Sequence, residues 1–124
     1  MKFSIESKQG HARAGSLTIN NKTIDTPAFM TIGTYGSVKT MDTYDLKKCN
    51  VEIILSNAFH LMLRPGTNLI EKVGGLHQLM NWDGLILTDS GGYQVFSLGK
   101  DVKISKKGAE FRSPFNGDKV FMSP

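Results

Sequence analysis

Three stretches of this sequence end an apolar run in polar or glycine-rich residues. They are Ile32-Gly33-Thr34-Tyr35-Gly36, Ser56-Asn57-Ala58-Phe59-His60 and Thr88-Asp89-Ser90-Gly91-Gly92-Tyr93. Asp89 is the sharpest single candidate for chemistry. It follows the run LILT and precedes two glycines, which let a ligand approach the backbone closely. A carboxylate there can accept hydrogen bonds from a ring N–H or an amine, or move a proton. The competing reading is that Asp89 caps a turn that Gly91 and Gly92 merely permit. Tyr93 offers a ring to stack on a planar heterocycle, or ordinary core or rim packing. Asn57 offers a donor and an acceptor on one amide, or an Asx turn after a strand.

Other chemistries find little support. His60 and His77 are too far apart along the chain for a compact ligand pair, and no cysteine stands near them. His60 reads better as a hydrogen-bonded structural residue. Thr88 and Ser90 resemble nucleophiles, but no local histidine would activate them. Gly33, Gly36, Gly91 and Gly92 form neither a dinucleotide fingerprint nor a phosphate-binding P-loop. The single cysteine, Cys49, excludes an internal disulfide framework and a multi-cysteine zinc site within these residues.

The elements that must position the strand ends follow from pattern. Residues 15–25 suggest a small hairpin, with Asn20-Asn21 at its turn. Pro27 introduces a strand, AFMTIG, at 28–33. Asp42 is a good N-cap for a helix over 43–49, with Asp45 in its first turn, Lys47-Lys48 near its end and Asn50 just past it. EIILS at 52–56 contains the consecutive apolar run of a strand buried on both faces. Pro65-Gly66 opens a helix over about 67–73, Gly74-Gly75 closes it, and a helical turn over 76–81 leads to LILT at 85–88. Strand, helix, strand, helix, strand is the order of an α/β fold with a parallel sheet. In such folds ligands bind at the C-terminal ends of the strands, where the three polar stretches lie. Beyond residue 97, VKIS, AEFRS and KVFM, separated by Lys107-Gly108 and Asn116-Gly117, suggest an antiparallel excursion.

The chain has 124 residues, 40% of them hydrophobic and 21% charged, which argues against disorder and fits one domain. A net charge of +4 is compatible with a polyanion partner. No apolar run approaches the ~20 residues of a membrane span, and the N-terminus lacks a signal-peptide core. The expectation is a cytoplasmic protein with no membrane partner. Three parallel strands make a poor closed fold, however, and an eight-stranded α/β barrel needs about 250 residues.

Read together, TPAFMTIGTYGSVK at 26–39, EIILSNAFHLMLRPG at 52–66, GGLHQLMNWDG at 74–84, ILTDSGGYQVFSL at 86–98 and FRSPFNGDKVFMSP at 111–124 resemble the tRNA-guanine transglycosylase family. The five segments are collinear with the family's order, and TDSGGYQVF is the most specific. The resemblance implies the N-terminal third of a TIM (β/α)8 barrel domain over 1–124. It would carry a small antiparallel hairpin before the barrel and a β-hairpin excursion after the third barrel strand. The family exchanges guanine at the wobble position of tRNA for a 7-deazaguanine, preQ1 in bacterial members and queuine in eukaryotic ones. One aspartate attacks the ribose and forms a covalent tRNA–enzyme intermediate; another binds the base and shuttles protons.

By motif, Asp89 matches the base-binding, proton-handling aspartate. Ser90, Gly91, Gly92 and Tyr93 match the base pocket, with Tyr93 stacking on the heterocycle. Ile32, Leu55 and Asn57 match strand-end positions that line it. The bulky Ile32 implies preQ1 rather than queuine. Thr31 stands where the family usually has proline. The nucleophilic aspartate, in a segment ending Pro-Thr-Arg, and the zinc site of three cysteines and a histidine both lie beyond residue 124. No cofactor is therefore expected within this chain, and residues 1–124 alone are expected to be inactive. The partners implied are tRNA with guanine at the wobble position, preQ1 or guanine, and a second copy in a homodimer. The alternatives are a truncated, non-catalytic module that binds a base or a partner, and an unrelated α/β barrel hydrolase using Asp89 with another acid.

Overall fold

A computed structural model describes residues 1–123; Pro124, the last residue of the fifth matched segment, lies outside the described residues. β1 (Lys2–Gln9), β2 (Ala12–Ile19) and β3 (Lys22–Thr26) form an antiparallel sheet in that order. β4 (Thr31–Ile32), β5 (Ile53–Asn57) and β6 (Leu85–Asp89) form a parallel sheet with β5 central. α1 (Thr43–Lys48) connects β4 to β5. α2 (Ala58–Leu61), α3 (Thr67–Lys72) and α4 (Leu76–Met80) connect β5 to β6. α5 (Gly92–Ser97) follows β6 and leads to a second antiparallel sheet of β7 (Lys103–Ser105), β8 (Gly108–Arg112) and β9 (Lys119–Met122). The class is mixed α/β. No helix among the described residues is long and apolar enough to cross a membrane.

Successive residues of a strand point to opposite faces, and directly paired residues share a face. One face of the parallel sheet carries Ile54, Ser56 and Ile86. Ile54 is 1% exposed and packs in a core with Leu46 of α1, Met80 of α4 and Trp82. The Trp82 indole N–H donates to the Leu85 carbonyl at 3.0 Å, so this buried ring leaves no orphan donor. Ser56, fully buried, donates through Oγ to the Gly33 carbonyl at 2.9 Å and so ties the loop after β4 to the central strand. The other face begins with paired Ile53 and Leu85, against which Ile24 of β3 packs, with Leu17 and Ile19 of β2 beside it. The first antiparallel sheet therefore closes the N-terminal end of this face.

The local signals account for most of these boundaries. Asp42 Oδ1 accepts the Asp45 N–H at 2.8 Å, and Asn50, at φ +54°, turns the chain out of α1. The break between α2 and α3 falls at Arg64, which is extended (φ −151°, ψ 122°) because the Pro65 ring disfavours helical geometry in the residue before it. Lys47 Nζ lies 3.0 Å from Asp83 Oδ1, an exposed pair that joins α1 to the turn before β6.

Several expectations are corrected. The strand expected over 28–33 shrinks to Thr31–Ile32; Phe29 is 82% exposed and its neighbours make no ladder. Pro27 supplies no N–H, and a short edge strand has few partners to extend it. The hairpin expected over 15–25 is longer, and β1 adds a third strand that the polar-rich sequence KFSIESKQ did not announce. The residues after Asp89 form helix α5, unpredicted because GGYQVFS opens on two glycines.

Ile54→Ala should cost about 2–5 kcal/mol, the range for emptying a fully buried aliphatic site. A shift in the denaturation midpoint worth less than about 1 kcal/mol would mean that the α1–α4 core is not centred there. The hydrogen bond from Lys47 lowers the Asp83 carboxyl below its ordinary 3.8. The stability it contributes is present above that value and is lost as pH falls through the lowered one. The melting temperatures of the parent and Asp83→Asn should therefore converge on acidification below about pH 3.8.

Candidate active site

The site follows from one register. β5 and β6 pair so that Leu55 faces Leu87 and Asn57 faces Asp89, while Ile32 of β4 pairs with Leu55. Ile32, Leu55 and Leu87 thus form an apolar row above the Ile53–Leu85 pair. Asn57 and Asp89 form the next row, at the C-terminal edge of the same face.

Asn57 is buried and uses both ends of its amide. Its Nδ2 donates to Asp89 Oδ1 at 2.8 Å and lies 3.3 Å from Gln94 Oε1; its Oδ1 accepts the His60 N–H at 3.2 Å and caps α2. The Asx-type role and the site role coexist on one side chain. Asp89 Oδ1 also accepts the Gly91 N–H at 2.8 Å. The turn-capping role and the site role therefore meet in Asp89 as well. Because Oδ1 takes both donors, no hydrogen bond among the described residues reaches Oδ2. A half-fixed carboxylate of this kind is oriented by the protein and keeps an oxygen for something else.

Gly91 is required by both space and backbone. Its φ is +69°, and a Cβ there would lie 2.4 Å from Phe59 Cβ. Gly92 opens α5, and Ser90 Oγ accepts its N–H at 3.3 Å. Tyr93, on the first turn of α5, is 77% exposed, so its ring joins no core among the described residues. Ile32 is 55% exposed. It borders a cleft of about 640 Å³ lined also by Thr34, Tyr35 and His60. His60 departs from expectation: its ring Nδ1 is buried without a hydrogen-bond partner, and the ring is held edge-on by Tyr35 and Phe59, at 5.0 and 5.4 Å between centroids. Among the described residues, no three His, Cys, Asp or Glu side chains converge as metal ligands.

All eight expected site residues lie on β4, β5, β6, the turn into α5 or the first turn of α5. The tightest group is Asn57, Asp89 and Gly91. Two neighbours were missed. Leu87 lies in the Ile32–Leu55 row, which strand alternation from Asp89 would have revealed. Gln94 reaches Asn57 only because α5 forms.

Gly91→Ala should destabilise the protein by about 2 kcal/mol or more, combining left-handed backbone strain with overpacking against Phe59. Gly92→Ala, which would meet only Ser90 Oγ at 3.4 Å, should cost less than about 1 kcal/mol. Equal losses in chemical denaturation would contradict the packing argument.

Comparison with known proteins adds the family. The family model described as Queuine tRNA-ribosyltransferase matches residues 7–124. A queuine tRNA-ribosyltransferase of Herminiimonas arsenicoxydans is 55% identical over all 124 residues, which cover 33% of its own length. One from Nitrosomonas eutropha is 56% identical over 124 residues, covering 34% of its length. One from Aliivibrio fischeri is 56% identical over 122 residues, 98% of this chain and 32% of the relative. The chain thus spans about a third of the length of the curated relatives it matches. With the matched segments running through the strand ends that carry Asn57 and Asp89, the chain belongs to the queuine tRNA-ribosyltransferase family.

Proposed function

We propose that these residues form the base-binding side of a tRNA-guanine transglycosylase and the first third of its (β/α)8 barrel. The reaction replaces guanine at the tRNA wobble position with preQ1. The observation that supports this most is the Asp89 carboxylate, held through Oδ1 by Asn57 and Gly91 beside an exposed tyrosine. Ser90, Gly91 and Gly92 line the floor of the pocket. Tyr93 stacks on the planar base, and Ile32 and Leu55 border it. A large side chain at Ile32 leaves room for the small aminomethyl group of preQ1 rather than the bulkier substituent of queuine.

The exchange is a double displacement. An aspartate carboxylate outside residues 1–124 attacks ribose C1′, and the C1′–N bond to guanine breaks. Asp89, protonated, gives its proton to the departing guanine. The incoming preQ1 then yields a proton to the Asp89 carboxylate as its ring nitrogen attacks C1′ and releases the enzyme's ester oxygen. Both substitutions proceed with inversion, so the anomeric configuration is retained. The protein works in the cytoplasm as a homodimer, and a structural zinc takes its ligands from outside residues 1–124.

Asp89→Asn should lower exchange of labelled guanine into tRNA by about 10²–10⁴-fold, the range for a positioned proton carrier. A rate within threefold of the parent overturns the role of Asp89. Ile32→Gly should shift base preference from preQ1 toward queuine in competition assays; an unchanged ratio refutes the size argument. Residues 1–124 alone should incorporate no guanine, and turnover by them would show that the nucleophile lies within this chain.

A further inference from the structure

Residues 99–123 carry six cationic side chains against three carboxylates, a net +3 of the chain's +4. The sheet β7–β9 sorts them by face. Phe111, Val120, Ala109 and Met122 share the inner face, where buried Phe111 stacks on Phe59 of α2 with centroids 5.4 Å apart. Register places Lys103, Glu110, Arg112, Lys119 and Phe121 on the outer face. Lys106-Lys107 form the turn between β7 and β8.

Three further observations give this face a use. First, its charge is not spent internally. The one ion pair among the described residues is Lys47–Asp83, so among those residues Lys103, Lys106, Lys107 and Lys119 have no carboxylate within salt-bridge distance. Arg112 donates through Nη1 to the Gly117 carbonyl at 2.9 Å, which fixes its guanidinium toward the β8–β9 turn. Second, Phe121 is 53% exposed in the midst of these cations. Its ring lies over Gly108, where a Cβ would sit 3.0 Å from Cζ, so the missing side chain leaves the ring its seat. Third, Phe59 touches both regions: Gly91 closes on its Cβ, and Phe111 stacks on its ring. The sheet that carries the basic face is therefore joined to the Asp89 turn through its inner face, by Phe111 and Phe59.

We propose that the outer face of β7–β9 binds the phosphate backbone of the RNA whose base enters the Asp89 pocket, with Phe121 stacking on an unpaired base beside it. This rests on the transglycosylase reading and assigns its RNA a second contact region. A cluster of unpaired lysines supplies phosphate contacts, and an exposed ring supplies sequence-tolerant stacking.

The test uses the whole protein carrying these residues and a fluorescein-labelled anticodon stem-loop RNA, with anisotropy measured across a salt series. The quadruple variant Lys103→Gln/Lys106→Gln/Lys107→Gln/Lys119→Gln should raise Kd by at least about tenfold at low salt. It should also flatten the log Kd–log salt slope by about 3, near the loss of one counterion per lysine. Phe121→Ala should weaken binding about fivefold or more with no change in slope. A control variant, Lys2→Gln/Lys8→Gln/Lys22→Gln/Lys72→Gln, removes the same charge elsewhere. An equal loss in the control, an unchanged Kd in the first variant, or binding of the face to phosphatidylserine vesicles instead of RNA each overturns the proposal. Circular dichroism establishes that each variant is folded. Binding of free preQ1, measured in parallel, should be unaffected by the lysine changes. Its absence in the parent would count against the transglycosylase reading and leave the RNA-face result standing.

Discussion

The pairing of Asn57 with Asp89 depends on a register that the apolar core dictates. Ile53 and Leu85 must lie opposite each other to bury against Ile24, and two rows further along the same register brings an amide to a carboxylate. A slip of one residue would turn Asn57 toward the helices and Ile54 toward the opposite face. Hydrophobic burial at one end of the sheet thus sets polar geometry at the other. The hydrogen bond of 2.8 Å is a consequence of that placement, and the orientation of Asp89 is a consequence of the bond.

The two faces of the parallel sheet divide the work. On the helix side, Ile54, Leu46, Met80 and Trp82 exclude water and give the sheet its rigidity. Ser56 belongs to that side but reaches across to the Gly33 carbonyl, so the short β4 is held by a side chain as well as by its ladder. On the other side, packing is complete only at the N-terminal end. Ile32 and Leu87 remain open to solvent between the Ile24 plug and the polar row. An oriented carboxylate above an apolar wall suits a planar heterocycle with polar edges, which needs both a surface to lie against and a group to meet its N–H donors.

Much of this was legible from residue order. The run Ile53-Ile54-Leu55 announced a central strand, and Asp42, Asn50 and Pro65 marked helix ends through capping and steric rules that act locally. Asp89 stood out because glycines follow an apolar strand there. What escaped was non-local. Ile32 gives no sign in sequence of how short its strand is, since that depends on pairing with β5. β1 alternates only at Phe3 and Ile5, and both stay exposed because the strand lies at a sheet edge. Gln94 entered the site only through a helix that two glycines disguised. The half-burial of His60, with an unpartnered ring nitrogen, depends on Tyr35 and Phe59 arriving from separate segments. The family resemblance, carried by five collinear segments, ran ahead of all of these, because it reads the whole pattern at once.

Phe59 lies between Gly91 and Phe111, in van der Waals contact on both sides. Gly91 meets its Cβ and backbone and Phe111 meets its ring, so one residue joins the turn after β6 to the second antiparallel sheet. A smaller side chain at 59 would let the second sheet settle inward, while the turn would still close on the Cβ. Drift at positions 59 and 111 is thereby linked, so these two should diversify as a pair over evolutionary time, while glycine at 91 stays fixed whatever ring stands at 59.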